Sequence, residues 1–358
     1  MRTRPMGTLF AILMGLVSVL ANAQPAFTVG GVTAQPGTTV YCELQVPARG
    51  SDSGTIIPFS IVHGAKPGPV ITFVAGTHGA EYPPILALQR LRASIDPKEL
   101  SGTILMVHVA NMPAFLGRAI YYTPGDHQNL NRVFPGKADG TISERIADLI
   151  TREFIVRTQY LIDLHCGDAN ESLRPYLYWT INAAPALVEQ VRQLAFAFGM
   201  DHIILDKGRP TDPAASLYLE NTAITSGKPA MTIESGAMGQ SDEESIQRIE
   251  RGVAGVLKHL KMRATGPDPL QHAVLLGRNL VINSQHTGIF YPLVERGHMV
   301  AEGALIGRIT DFQGRAIEEI RAQFAGEILY VVGTPPTTKG EPLAFIAAPA
   351  TAEEIPKR

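Results

Sequence analysis

Three segments carry the residues able to do chemistry: Gly76-Thr-His78-Gly-Ala-Glu81, Asp163-Leu-His165-Cys-Gly-Asp168 and Thr232-Ile-Glu234-Ser-Gly236. Each follows or closes an apolar run, so two histidines and two glutamates fall at strand ends. Zinc in catalytic sites takes three protein ligands of this kind and keeps one position for water. On that reading His78, Glu81 and His165 bind one Zn2+ per chain. Glu234 is left to act as general base and then general acid.

Each residue alone has a plainer reading. His-x-x-Glu recurs by accident, and a glutamate at a helix start is favoured by the dipole. A histidine closing a buried strand is often a hydrogen-bonded core residue, and a strand-end Glu is often solvated. What argues for chemistry is that all four recur at the same kind of place. Asp163 lies two residues before His165 and shares its face of a strand. It is either the acceptor that orients that imidazole or an ordinary buried acid.

The elements that must position these groups alternate in type. Pro69–Val74, Thr103–Val109, Tyr160–Leu164, His202–Leu205 and Ala230–Ile233 read as buried strands. Helical stretches run from Pro83 to Ala93, from near Thr141, from Ala184 to Phe198 and from Ser241 to Lys261. Thr141/Glu144 and Ser241/Glu244 have capping-box spacing. Such alternation predicts an α/β fold with a mainly parallel, mixed sheet covered by helices on both faces. His78 and Glu81 then sit beyond a strand's carboxyl end, where open α/β sheets bind ligands. Phe27 to Val62 reads as short strands and turns. After the Gly/Pro-rich Thr265–Pro269, residues 272 to 347 are β-rich without helical pattern.

Between the first two segments lies Asn129-Leu-Asn131-Arg132-Val-Phe-Pro-Gly136, a polar loop punctuated by Gly and Pro. Asn131 and Arg132 are candidates for clamping a substrate carboxylate, the guanidinium fork giving two charged hydrogen bonds. A surface Arg in a turn is the alternative.

Taken together, these motifs resemble the succinylglutamate desuccinylase/aspartoacylase family, the deacylase branch of the zinc carboxypeptidase-like hydrolases. The resemblance covers about Phe27 to Met262. It implies that His78, Glu81 and His165 bind zinc, that Glu234 is the proton-transfer residue, and that Asn131 and Arg132 engage a carboxylate. It also implies an upstream arginine that polarises the scissile carbonyl, for which Arg118 is the candidate. Cys166-Gly-Asp168 departs from the commoner Thr-Gly-Gly of relatives. Gly288–Pro292, Val294–Val300, Gly303–Gly307 and Gly326–Leu329 resemble a lipoyl/biotinyl-type barrel-sandwich domain without a carrier lysine.

Arg2 and Arg4, an apolar run from Thr8 to Leu20 and Ala21-Asn22-Ala23 have the layout of a signal peptide. The expected organisation is therefore a signal peptide over 1–23, a catalytic domain over 24–265 and an all-β domain over 270–348, exported to the periplasm. The formal charge is −2, becoming −4 once Arg2 and Arg4 are removed, and no Lys/Arg block stands out. That disfavours nucleic-acid binding. No later stretch reaches transmembrane length. Cys42 and Cys166 are expected as free thiols. The resulting expectation is an amidohydrolase that cleaves a small N-acyl amino acid or related carboxylate. Its rivals are a peptidoglycan-peptide carboxypeptidase or amidase, and a non-catalytic binding or adaptor protein.

Overall fold

The computed structural model describes residues 24–357, so the signal-peptide reading lies outside the described residues. One mixed sheet runs through the molecule. Its middle is Tyr160–His165, flanked by Lys66–Ala75 on one side and Ala230–Glu234 on the other, both parallel to it. Ser101–Val107 continues the sheet in parallel beyond Lys66–Ala75. The nine-residue strands Thr55–His63 and Thr38–Val46 then extend it antiparallel, making longer elements than the sequence suggested. Tyr176–Thr180 pairs antiparallel with Ala230–Glu234 and parallel with His202–Asp206.

The strands are almost continuously apolar and buried, Ile71, Phe73, Ile104, Leu161, Ile162 and Ile233 being fully so. That is what covering of the sheet requires. Tyr82–Ser94 and Pro185–Phe198 both pack on Glu243–His259, while Leu219–Thr225 packs on Tyr160–His165 and Ala230–Glu234. The helix starts follow local chemistry. Thr141 and Glu144 form a reciprocal capping box before Ile142–Ile150. At Glu243–His259 the cap is Asp242, which accepts from the Ser245 N–H, and not the Ser241/Glu244 pair. An ionised carboxylate at the N-cap, with Glu243 and Glu244 in the first turn, suits the positive end of the helix.

The carboxyl-terminal segment is all-β and is wired into the same sheet. Val274–Asn283 begins parallel to His202–Asp206 and then pairs antiparallel with Pro342–Pro349. Gly326–Val332 continues from there. Ala316–Arg321, Leu305–Thr310, Gly288–Pro292 and Pro336–Thr337 form a second, antiparallel sheet. Its own core includes Phe290, Ile306, Ile309, Ile328 and Leu343. A seam of Leu173, Tyr176, Leu276, Tyr330 and Phe345 joins this unit to the rest. Arg174 and Glu327 form an ion pair across the same join, and His202 meets Glu327 at 3.2 Å. Cys42 and Cys166 are unbridged.

Candidate active site

His165 and Glu234 are direct register partners on neighbouring parallel strands, both at the carboxyl end. The next strand out, Lys66–Ala75, delivers His78 and Glu81 through a tight turn. Gly76 takes a left-handed φ of +70° there, which glycine adopts without steric cost. Gly79 lies so close to the Met112–Gly117 helix that a Cβ would come within 2.2 Å of the Ala114 carbonyl oxygen. Both glycines are therefore dictated by how the turn is packed. Glu81 occupies the N-cap of the following helix, but its side chain makes no cap hydrogen bond. It points instead at the two histidines.

The geometry of that meeting is specific. Glu81 Oε1 lies 2.7 Å from His78 Nδ1, and Glu81 Oε2 lies 3.0 Å from His165 Nδ1. The outer ring nitrogens are both held: His78 Nε2 faces Asn129 Oδ1 at 3.1 Å, and His165 Nε2 faces Asp163 Oδ2 at 2.9 Å. Acceptors at both Nε2 positions fix the tautomer with its proton outside, leaving both Nδ1 lone pairs aimed inward. One donor atom from each of His78, Glu81 and His165 lies within 4.8 Å of the others. The side chains of Glu81 and His165 are 3% exposed and that of His78 12%. Two inward lone pairs and a buried carboxylate at this spacing suit a divalent cation of zinc's size and ligand preference. Although burial opposes it, the two imidazoles hold the Glu81 carboxyl down at about 2.

Glu234 lines the cavity in front of this triad. Its Oε2 is buried without a hydrogen-bond partner. Burial pushes its pKa well up; the His165 ring opposes, and the Glu81, Glu171 and Asp163 carboxylates add to the rise. The cavity measures about 430 Å³. Arg132 supplies its guanidinium wall, stacked at 4.5 Å over the Tyr218 ring and donating to the Asn131 carbonyl at 2.7 Å. Arg209 covers Tyr218 at 4.0 Å, so the ring contacts two cations.

Two expected site residues are placed elsewhere. Arg118 is exposed and does not line the cavity. It ends the Met112–Gly117 helix in a left-handed conformation, its N–H donating to the Ala114 and Phe115 carbonyls. A second left-handed residue, Tyr121 with φ 61°, then turns the chain inward, so that tyrosine reaches the cavity. Asn131 is buried behind the triad and does not line the cavity either. Its Oδ1 accepts from the Leu219 N–H at 2.8 Å and its Nδ2 lies 3.3 Å from His165 Nε2. It braces the site. His127 is exposed and off the cavity.

Several lining residues escaped sequence reasoning. Asn129 was passed over inside a quoted motif, and Glu171 and Tyr176 lie in a stretch with no helical or alternating signal. Val281, Asn283, Tyr330 and Phe345 come from the carboxyl-terminal unit and also line the cavity. Only the shared sheet shows that they belong to the site.

Comparison with known proteins agrees with this geometry. Residues 67–260 match the succinylglutamate desuccinylase/aspartoacylase catalytic domain. The chain belongs to that family. It is 29% identical over 314 residues to the N-alpha-acetyl-L-2,4-diaminobutyric acid deacetylase of Halomonas elongata, covering 85% of this chain and 90% of that one. Among solved structures it is similar to a succinylglutamate desuccinylase from Silicibacter sp. TM1040, with TM-score 0.78 and 25% identity over 92% of this chain and 99% of that one. The product-bound ectoine utilization protein EutE (DoeB) of Ruegeria pomeroyi is similar to the same degree, at TM-score 0.78 and 25% identity over 91% and 98%. These relatives are deacylating hydrolases of amide bonds, and the family member described here shares their mixed α/β fold.

Proposed function

We propose that this deacylase-family protein is a zinc-dependent amidohydrolase that removes the acyl group from a small N-acyl amino acid. One observation carries the reading: the inward-facing Nδ1 atoms of His78 and His165, the Glu81 carboxylate and the Glu234 carboxyl meet in one cavity that also holds Arg132. Zinc bound by His78, Glu81 and His165 would acidify a water and polarise the amide carbonyl. Glu234 takes the proton of the attacking water and returns it to the leaving nitrogen. Its raised affinity for protons, set by burial, suits that double task. Arg132 anchors the substrate carboxylate with its planar fork, which the Tyr218 stack orients. Asn129 and Asp163 hold the two ligand rings, and Asn131 braces the second.

Carbonyl polarisation by Arg118 drops out of this scheme, since that side chain faces solvent. A cavity of about 430 Å³ walled on one side by Tyr330 and Phe345 favours a small substrate over a cell-wall polymer. We also read residues 270–348 as a barrel-sandwich unit that serves here as pocket wall. The amino-terminal sequence supports export with cleavage before Gln24; the first residue of the protein recovered from periplasm checks it. Among the described residues no helix is long and apolar enough to cross a membrane.

The test is a panel of N-acetyl, N-formyl and N-succinyl amino acids assayed for released amine, with wild type beside Glu234→Gln. Turnover in wild type that collapses in the variant supports the reading. Wild-type protein with a filled metal site and no activity on any amide would overturn it.

A further inference from the structure

The cavity's charges do not balance. Glu81, Asp168, Glu171 and Glu234 all line it, against the single guanidinium of Arg132. Glu81 belongs to the triad and Glu234 to proton transfer. Asp168 and Glu171 have no such task. Among the described residues Asp168 has only the His78 ring as an ion-pair partner, at 4.0 Å, and Glu171 has none.

Their hydrogen bonds come from neutral groups. Glu171 accepts from the Tyr121 hydroxyl at 2.7 Å and from the Asp168 N–H at 3.3 Å. Asp168 accepts from the N–H groups of Ala169 at 3.0 Å and Tyr121 at 3.4 Å. Two buried carboxylates are thus oriented side by side with no lysine or arginine to neutralise them, which is costly unless a cation arrives. In keeping with this, burial and the neighbouring carboxylates raise Asp168 to about 6 and Glu171 to about 7.

A second observation points the same way. The surface beside this pair is aromatic: Tyr121, Tyr176, Tyr330 and Phe345 line the same cavity. The Phe345 ring lies 5.7 Å from Tyr330 and 6.0 Å from Tyr176. Ring faces next to carboxylates are the surroundings that hold a compact organic cation. Arg132 is available for the opposite charge.

We propose that Asp168, Glu171 and the adjoining tyrosines form a subsite for an ammonium group, so that the preferred substrate is an acylated amino acid carrying a second, free amine. Recognition of the cation rests on the lining itself; the word substrate rests on the amidohydrolase reading above. Asp168 falls where the sequence departs from its relatives' Thr-Gly-Gly, which makes the subsite a property of this chain.

The experiment uses the zinc-loaded chain from Gln24 and three N-acetyl amino acids matched in size: ornithine, norvaline and glutamate. Deacetylation is measured as kcat/KM, and binding of free ornithine and norvaline by calorimetry. Wild type should favour the ornithine derivative over norvaline by about tenfold or more, the range of a charge-assisted hydrogen bond in a buried site. Glu171→Gln keeps an acceptor for Tyr121 and should bring that ratio near one. Ornithine binding that exceeds norvaline binding and is levelled by Glu171→Gln, with no amide hydrolysed, would uphold the subsite and sink the hydrolase. Hydrolysis indifferent to side-chain charge, or preferring the glutamate derivative, would overturn the subsite and leave the hydrolase standing. Should Glu171→Gln not fold, the wild-type ratios decide in the same way.

Discussion

Asp163 and His165 share one face of one strand, and the Asp163 carboxylate meets the outer nitrogen of the His165 ring at 2.9 Å. The i, i+2 spacing places them together. The consequence is a ring whose other nitrogen can point only at Glu81. Removing the carboxylate's charge while keeping its shape, as in Asp163→Asn, should weaken zinc binding about 10- to 100-fold. Competition with a chelator of known affinity measures this; equal affinity in the two proteins would make Asp163 an ordinary buried acid.

Glu234 has no part in holding the ligand set, so its loss should separate chemistry from assembly. Glu234→Gln is expected to retain metal and fold while kcat falls by roughly 10²- to 10⁴-fold, the span of a positioned acid–base group. Metal analysis and steady-state kinetics on one preparation check both halves. Loss of metal with activity would recast Glu234 as a ligand.

Arg132 is fixed by the Tyr218 ring and the Asn131 carbonyl, which leaves its fork free for a carboxylate. Arg132→Lys keeps the charge and removes the planar pair of donors. KM for an N-acetyl amino acid should rise about tenfold or more, while the corresponding amide lacking a carboxylate is turned over with little change. A uniform loss on both substrates would show that Arg132 supports the site rather than the substrate.

Away from the site, His108 is buried with its Nε2 2.7 Å from the Ser60 hydroxyl. Burial, helped by Arg92, lowers it from 6.5 to about 4. The folded chain therefore keeps this ring neutral where the unfolded chain protonates it. The unfolded state binds more protons between those two values, so stability rises with pH there. The contribution is fully present above pH 6.5 and is lost as pH falls towards 4, by roughly 3 kcal/mol. Urea unfolding at pH 7.5 and 4.5 should show a smaller pH difference in His108→Asn than in wild type. Identical differences would mean that the ring protonates freely in the native state.

How far the sequence could be read depended on range. Strands such as Tyr160–His165 and Ala230–Glu234 are unbroken apolar runs, and the capping box at Thr141 is a local signal, so both were legible. The triad was legible because each ligand sits beside a strand end with its own glycine or acid. Tyr176–Thr180 was missed because Pro175 and two tyrosines mask a short buried strand. Arg118 was misplaced because two left-handed residues, at 118 and 121, reverse the chain, and neither is a glycine that would have announced the turn. The carboxyl-terminal wall depends on Val274–Asn283 joining a strand some seventy residues earlier, a pairing no local pattern encodes.

The account stands most directly on the metal. Zinc content of the purified chain from Gln24 should be about one per molecule, and should be lost in both His78→Ala and His165→Ala while each variant keeps its secondary structure. Protein that takes up no zinc when it is supplied, or variants that bind it as well as wild type, would contradict the proposed centre and the hydrolysis built on it.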